Sequence, residues 1–254
     1  MRVGFLGDGH INSVVRDAVE QSRPYRIVGT FGRDDAVPAG IDVVVEAATQ
    51  QAVLERVPSL LAEGVDVILL SVGALADAAL RTTLFAGSTP GKLIACTGAI
   101  GGLDQVRALR VAGPLHAVSL ESRKLPSTLI QPWMSPDLQE ALQRGDEEVV
   151  VAEGLAADVA QQFPSSANVA ASLALAADAW EYATARIVAD PSATQTRHEI
   201  YAAGDIGEVR TVVTNAPSVE RPRSSAVVAW AALRSLDDYA RLRGFAAPEG
   251  PAFL

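Results

Sequence analysis

The sequence predicts an α/β fold: a doubly wound parallel sheet, then an α+β second domain with a mainly antiparallel sheet. Three observations carry this. The first half alternates short, continuous apolar runs with segments that are apolar at helical spacing. A glycine turn, Gly7-Asp8-Gly9, stands between the first such run and the first such segment. After about His116, strand-like runs follow one another closely. Continuous apolar strands separated by amphipathic helices mean a parallel sheet covered on both faces, and closely spaced strands with turn residues mean antiparallel pairing.

The elements follow in order. Arg2 to Leu6 is a buried-strand run, and Ile11 to Gln21 is helical, with Ile11, Val14, Val15, Ala18 and Val19 on one face. Strands follow at Arg26 to Phe31 and Asp42 to Ala47, then a helix at Gln50 to Ala62. The next pair is a strand at Asp66 to Val72 and a helix at Leu75 to Leu84. A fifth strand at Lys92 to Thr97 and a helix at Leu103 to Val111 close the first half. Beyond it, strands are expected at Ala117 to Ser122, Glu148 to Glu153, Tyr182 to Asp190, Arg197 to Ala203 and Glu208 to Thr214. The last two flank a glycine-bearing hairpin loop. Helices are expected near Leu155 to Gln162, Val169 to Trp180 and Ser225 to Arg243. Pro132, Pro136 and Gly145 mark a polar connection. The chain therefore divides into a dinucleotide-binding domain over 1–116, a catalytic or substrate domain over 117–219, and a C-terminal helix within 220–254 that packs back on the first.

The totals exclude several classes. A net charge of −9 argues against nucleic acid as the main partner, because phosphate affinity comes from clustered Lys and Arg. Cys96 is the single cysteine, so no intrachain disulfide forms. The most apolar stretch, Val65 to Leu80, is broken by Asp66, Gly73 and Asp77, which is wrong for a membrane span, and the N-terminus does not read as a signal peptide. A cytoplasmic protein is expected. No His, Cys and carboxylate cluster has metal spacing, so no metal is expected.

The glycine turn reads as Gly7-Asp8-Gly9-His10-Ile11-Asn12, after a strand and before a helix. In a Rossmann-type dinucleotide turn the first glycine allows the tight bend, the second lets backbone approach the pyrophosphate, and the third lets helix pack on strand. Here Asn12 replaces the third, and an ordinary tight turn is the alternative. At the end of the second strand, where an acidic residue holds the ribose of NAD, Gly32 is followed by Arg33. An Arg there pairs with a 2′-phosphate, which makes NADP at least as good a candidate as NAD. The alternative is that Asp34 or Asp35 takes the ribose.

Several segments resemble the L-aspartate dehydrogenase family. They are Val44-Val45-Glu46-Ala47-Ala48, Ser71-Val72-Gly73-Ala74-Leu75-Ala76-Asp77, Gly98-Ala99-Ile100-Gly101-Gly102, Ser122-Arg123-Lys124, Asn168-Val169-Ala170-Ala171, Arg197-His198-Glu199-Ile200 and Asn215-Ala216-Pro217-Ser218, in the family's order. The resemblance implies reversible oxidative deamination of L-aspartate to iminosuccinate with hydride passing to NAD or NADP, a supply of product to NAD biosynthesis, and a homodimer. Carried over by motif, His198 is the catalytic residue, while Ala99 and Asn168 contact the cofactor beside Gly7, Gly9, His10, Ile11, Arg33 and Ala47. On the residues alone, Asn168 reads equally as a helix N-cap and His198 as an exposed strand histidine. A dicarboxylate substrate needs cations, and Arg123, Lys124 and Arg197 are the candidates. Ala95-Cys96-Thr97 departs from the Leu-Pro-Ser expected before the glycine-rich segment.

Two other readings stay open: a dehydrogenase or imine reductase of the same fold for another amino dicarboxylate, and a non-catalytic NAD(P)-binding regulator.

Overall fold

The computed structural model describes residues 1–32, 34–85, 89–164, 167–218, 220 and 224–252. Two compact units are present: Met1–Gly98 with Val228–Leu254, and Ala99–Val227.

The first unit contains strands β1 (Arg2–Leu6), β2 (Arg26–Phe31), β3 (Val43–Glu46), β4 (Asp66–Leu69) and β5 (Leu93–Ala95), with helices α1 (His10–Ser22), α2 (Gln50–Ala62) and α3 (Ala78–Phe85). The strands pair in the order β2-β1-β3-β4-β5, and every pair is parallel. All four residues of β3 are fully buried, which a strand shows only when both faces of its sheet are covered. The strand order reverses between β1 and β3, so the switch point, where open parallel sheets bind ligands, lies at the ends of these two strands.

The helix expected over Leu75 to Leu84 is split in two. A 3-10 turn, Val72–Ala76, ends at Asp77, whose carboxylate accepts the Leu80 amide at 2.9 Å and starts α3. The last helix of the chain, Val227–Leu242, lays Ala229, Ala232, Leu233, Leu236 and Ala240 into one core with Val3, Phe5, Val43, Val45, Ile68 and the α1 residues Val15 and Val19. Full burial of each larger apolar side chain contributes about 1.5–3 kcal/mol. Polar ties fix this helix as well: Asp237 accepts from Tyr25 Oη at 2.7 Å and from Arg23 Nε, and Tyr239 Oη donates to Asp66 at 2.9 Å. Cys96 lies buried in the same core, beside Ser235.

The second unit contains α4 (Leu103–Ala112), β6 (Leu115–Lys124), α5 (Pro136–Arg144), β7 (Val149–Leu155), α6 (Ala156–Gln162), α7 (Asn168–Ala177), β8 (Thr184–Ala189), β9 (Thr196–Gly204) and β10 (Gly207–Asn215); the closing helix of the first unit is then α8. Its sheet runs β10-β9-β6-β8-β7, antiparallel except for the parallel pair β6–β8.

The polar connection expected around Pro136 is instead helix α5. Ser135 accepts the Leu138 amide at 3.3 Å, Pro136 occupies the first helical turn, and Gly145 ends the helix at φ 59°. These are ordinary start and stop signals; only the thin apolar content between them hid the helix.

On β6, Val118, Leu120, Ser122 and Lys124 are buried, while Ser119, Glu121 and Arg123 between them are half-exposed. Helices α4, α6 and α7 pack on this sheet. α7 leads into β8, which begins beside Ser119 and ends beside Lys124. Ten helical residues span about 15 Å, close to the rise of the six-residue strand. The α7 N-terminus therefore lies toward the Lys124 end of β6.

Candidate active site

The candidate cofactor side is built on β1 and its turn. Gly7 has φ 94°, and a Cβ there would stand 2.7 Å from the Ala48 Cβ, so both the conformation and the close approach require glycine. Gly9 caps α1 without a side chain. A Cβ on it would meet only the Ala47 carbonyl oxygen, at 3.8 Å, and α1 has no acid in its first turn. An unobstructed helix N-terminus at the switch point suits a pyrophosphate, by its amides and by its dipole.

Asn12 is 1% exposed. Its Nδ2 donates to the Leu6 and Gly7 carbonyls at 2.9 and 2.8 Å, tying helix to strand where a third glycine would let them touch. His10 and Ile11 are the first two residues of α1, and Ile11 packs against the core. The Ala47 amide donates to the Leu6 carbonyl at 3.1 Å, so the ends of β1 and β3 meet there. The residues present fit a dinucleotide.

At the end of β2 the Gly32 amide donates to Asp35 Oδ2 at 2.6 Å, which occupies the carboxylate considered for the ribose. Arg33 lies outside the described residues. Arg16, which sequence reasoning missed, reaches from α1 to Thr30 Oγ1 at 3.1 Å and to Asp8 at 3.4 Å.

Glu46, also missed, is a fully buried carboxylate at the end of β3. Its Oε1 accepts from the Ala48 amide and Ser71 Oγ, both at 2.8 Å, and its Oε2 accepts from the Ser71 amide at 2.9 Å. Burial pushes its pKa up, against the opposing pull of these donors.

In the second unit, Ser122 of β6 pairs in register with His198 of β9, and their side chains meet, Oγ to Nδ1, at 2.8 Å. His198 is 2% exposed, so it is not the exposed strand histidine that polar neighbours suggested. Burial, with help from the Lys124 charge, pushes its pKa down to about 3, so the ring is neutral at working pH. Lys124, two residues after Ser122 on the same face, is 6% exposed, and burial lowers its pKa to about 8.

Asn168 is the first residue of α7 rather than its cap. The cap, Ala167, offers the first turn no side-chain acceptor. At the neighbouring end of β10, Asn215 donates to the Ala99 carbonyl at 2.8 Å and fixes the glycine-flanked loop before α4. Gly102 in that loop has φ 80° and lies against Thr211, where a Cβ would clash.

Arg123 and Arg197 do not join this group. Each is offset by one residue from an inward side chain, so strand alternation turns it to the other face. There Arg123 pairs with Glu121 and Glu148, at 2.8 and 2.6 Å, and Arg197 pairs with Glu199 at 2.6 Å. The structure thus brings together Ser122, Lys124 and His198, with Ala99 and Asn215 tied at the end of β10. The missed members, Ser122 and Asn215, carry one readable signal: polar residues that continue a strand's apolar face.

Among the described residues, no group of His, Cys, Asp and Glu is arranged to hold a metal ion, and no helix is long and apolar enough to cross a membrane.

Residues 104–239 match the family described as Aspartate dehydrogenase, C-terminal, and residues 28–91 match Homoserine dehydrogenase, NAD binding domain. The chain is 38% identical to an L-aspartate dehydrogenase of Methanosarcina mazei over 200 residues, 78% of this chain and 73% of that one. It is 32% identical to an L-aspartate dehydrogenase of Methanothermobacter thermautotrophicus over 259 residues, 93% of this chain and 95% of that one. A crystal structure of aspartate dehydrogenase from Thermotoga maritima shares the fold, with a TM-score of 0.74 at 23% identity over 98% of this chain and 99% of that one.

Proposed function

The chain belongs to the L-aspartate dehydrogenase family, and from that premise we propose that it oxidises L-aspartate to iminosuccinate, with His198 as the catalytic side chain at the substrate. The observation that carries the site assignment is the buried Ser122–His198 pair, on the same sheet face as Lys124. A nicotinamide dinucleotide bound at the β1 turn supplies the hydride acceptor. Gly7, Gly9, His10, Ile11 and Ala47 would hold it.

The chain's own residues do the rest. His198, neutral and fixed in orientation by Ser122, hydrogen-bonds the substrate. The N-terminal end of α7 favours a carboxylate group by its dipole. The apolar inner face limits access of water to the imine.

NADP is read as at least as good a cofactor as NAD. Gly32 stands where an NAD-binding acid would, and Asp35 is turned onto the Gly32 amide. Initial rates with L-aspartate test both points, with turnover expected at comparable kcat/KM for the two cofactors. A large preference for NAD would remove the NADP reading, and no turnover with either would remove the substrate.

A homodimer is the expected assembly. The face of the second sheet opposite His198 carries rows of both signs, with Arg186 between Glu121 and Glu153, and Arg210 beside Glu199. Such a pattern can complement itself across a two-fold axis. Light scattering should give the mass of two chains; the mass of one would exclude the dimer.

A further inference from the structure

An amino acid's ammonium group must lose a proton as its Cα–H bond gives up hydride, because only a free nitrogen lone pair can form the C=N bond. Among the described residues, two titratable side chains share the inner face of the second sheet at this edge, His198 and Lys124.

Hydrogen-bond accounting separates their parts. Ser122 is 2% exposed, and its Oγ has one partner among the described residues, His198 Nδ1. If Nδ1 carried the ring hydrogen, the serine hydroxyl hydrogen would be buried without an acceptor. An unmade buried donor is costly, whereas a hydroxyl oxygen that accepts nothing is tolerated. The hydroxyl therefore donates, Nδ1 accepts, and the ring hydrogen sits on Nε2. The neutral ring then offers the substrate a donor and no lone pair. Burial and the nearby ammonium both oppose its becoming a cation.

Lys124 has the complementary properties. It is the last residue of β6, its side chain is buried, and desolvation favours its neutral amine. Facing it, β9 contributes His198. α7 carries no ionisable residue over 168–177, and β8 carries only Arg186, which is directed to Glu121 and Glu153 on the other face. Its neighbour Arg123 likewise faces outward, to Glu121, Glu148 and Asp190.

We infer that Lys124, and not His198, accepts the proton of the substrate ammonium, while His198 holds a substrate carboxylate through Nε2–H. The inference rests on the aspartate-oxidation reading. In the step, the neutral Lys124 amine takes one proton from the ammonium. The freed lone pair forms the C=N bond as the Cα–H electron pair leaves as hydride to the oxidised nicotinamide. The products are the iminium form of iminosuccinate, the reduced cofactor and protonated Lys124.

Lys124→Met tests this, because methionine matches the buried stem without an ammonium to desolvate and should fold with a raised Tm. The wild-type rate in the oxidative direction should rise with pH through a midpoint near 8, the value to which burial moves Lys124. In Lys124→Met that limb should vanish and kcat/KM should fall at least ~100-fold. Lys124→Arg should be equally inactive, because guanidinium stays protonated. Small primary amines should restore part of the rate of Lys124→Ala.

A readout free of turnover is the NMR titration of Lys124 in the cofactor-free protein, also expected near 8. The inference is overturned if Lys124→Met keeps more than about a tenth of wild-type kcat/KM with its limb intact, or if Lys124 titrates as an ordinary lysine. Absence of aspartate oxidation in the wild type would instead overturn the wider reading, and the titration would still report on Lys124.

Discussion

Replacing His198 with alanine should lower kcat/KM for L-aspartate by about 10²–10³-fold, the loss that follows removal of one preorganised donor at a charged reacting group. Cofactor affinity, measured by quenching of protein fluorescence, should stay near the wild-type value, because the glycine turn that would hold the dinucleotide is built from β1, α1 and β3. The neighbouring chemistry makes the effect specific. The ring is 2% exposed, anchored at Nδ1 by Ser122, and has no second hydrogen bond among the described residues, so Nε2 is the atom available to a ligand. His198→Gln, which carries an N–H at about the same reach, should recover a large part of the loss. A general base would not be rescued this way, since an amide does not accept a proton at these pH values. The ring also adds an acid-side signature. Its folded pKa is depressed to about 3 from 6.5, so its contribution to stability is present above the ordinary histidine range and is lost as pH falls through it. A His198→Ala enzyme with unchanged kcat/KM would remove His198 from the chemistry altogether.

The alternation of strands and helices was legible because the two periodicities differ: Val43, Val44 and Val45 can all be apolar only in a strand covered on both faces, while Val15 and Val19 repeat at helical spacing. The glycine turn was legible for a local reason too, since Gly7 needs a positive φ that its neighbours reveal. The arrangement around His198 was not local. In Thr196-Arg197-His198-Glu199 every residue is polar, so alternation gives no inward face, and only the register with Ser122, 76 residues away, decides which side chain is buried. A shift of one residue along a strand moves a side chain to the other face, and this separates Arg123 and Arg197 from Lys124 and His198 although motif and charge group them together. Glu46 escaped notice because a carboxylate ending an apolar strand reads as a surface residue until its three donors are seen.

Those donors tie the loops after β3 and β4 to Glu46, and Glu46→Ala should destabilise the protein by about 3–5 kcal/mol, a fall of roughly 10 °C in Tm. The carboxylate is fully buried and joins the loop after β3, through the Ala48 amide, to the loop after β4, through the Ser71 amide and hydroxyl. Alanine leaves all three hydrogens without their acceptor. It also frees Ala48, against which Gly7 makes its close approach, so cofactor affinity should weaken along with Tm. Glu46→Gln separates charge from hydrogen bonding. Its oxygen can serve the two donors at Oε1, but its NH2 must then face the Ser71 amide, so its loss should be smaller, about 1–3 kcal/mol. Burial raises the folded pKa of Glu46 above that of an unfolded glutamate. Its protonation therefore favours the fold at acidic pH, and that contribution is lost as pH rises through the folded pKa. Glutamine has no such dependence, so the Tm gap between wild type and Glu46→Gln should widen from mildly alkaline to mildly acidic buffer. A pH-independent gap would mean that Glu46 titrates as an ordinary glutamate, and an unchanged Tm in Glu46→Ala would mean that water replaces the carboxylate at all three donors.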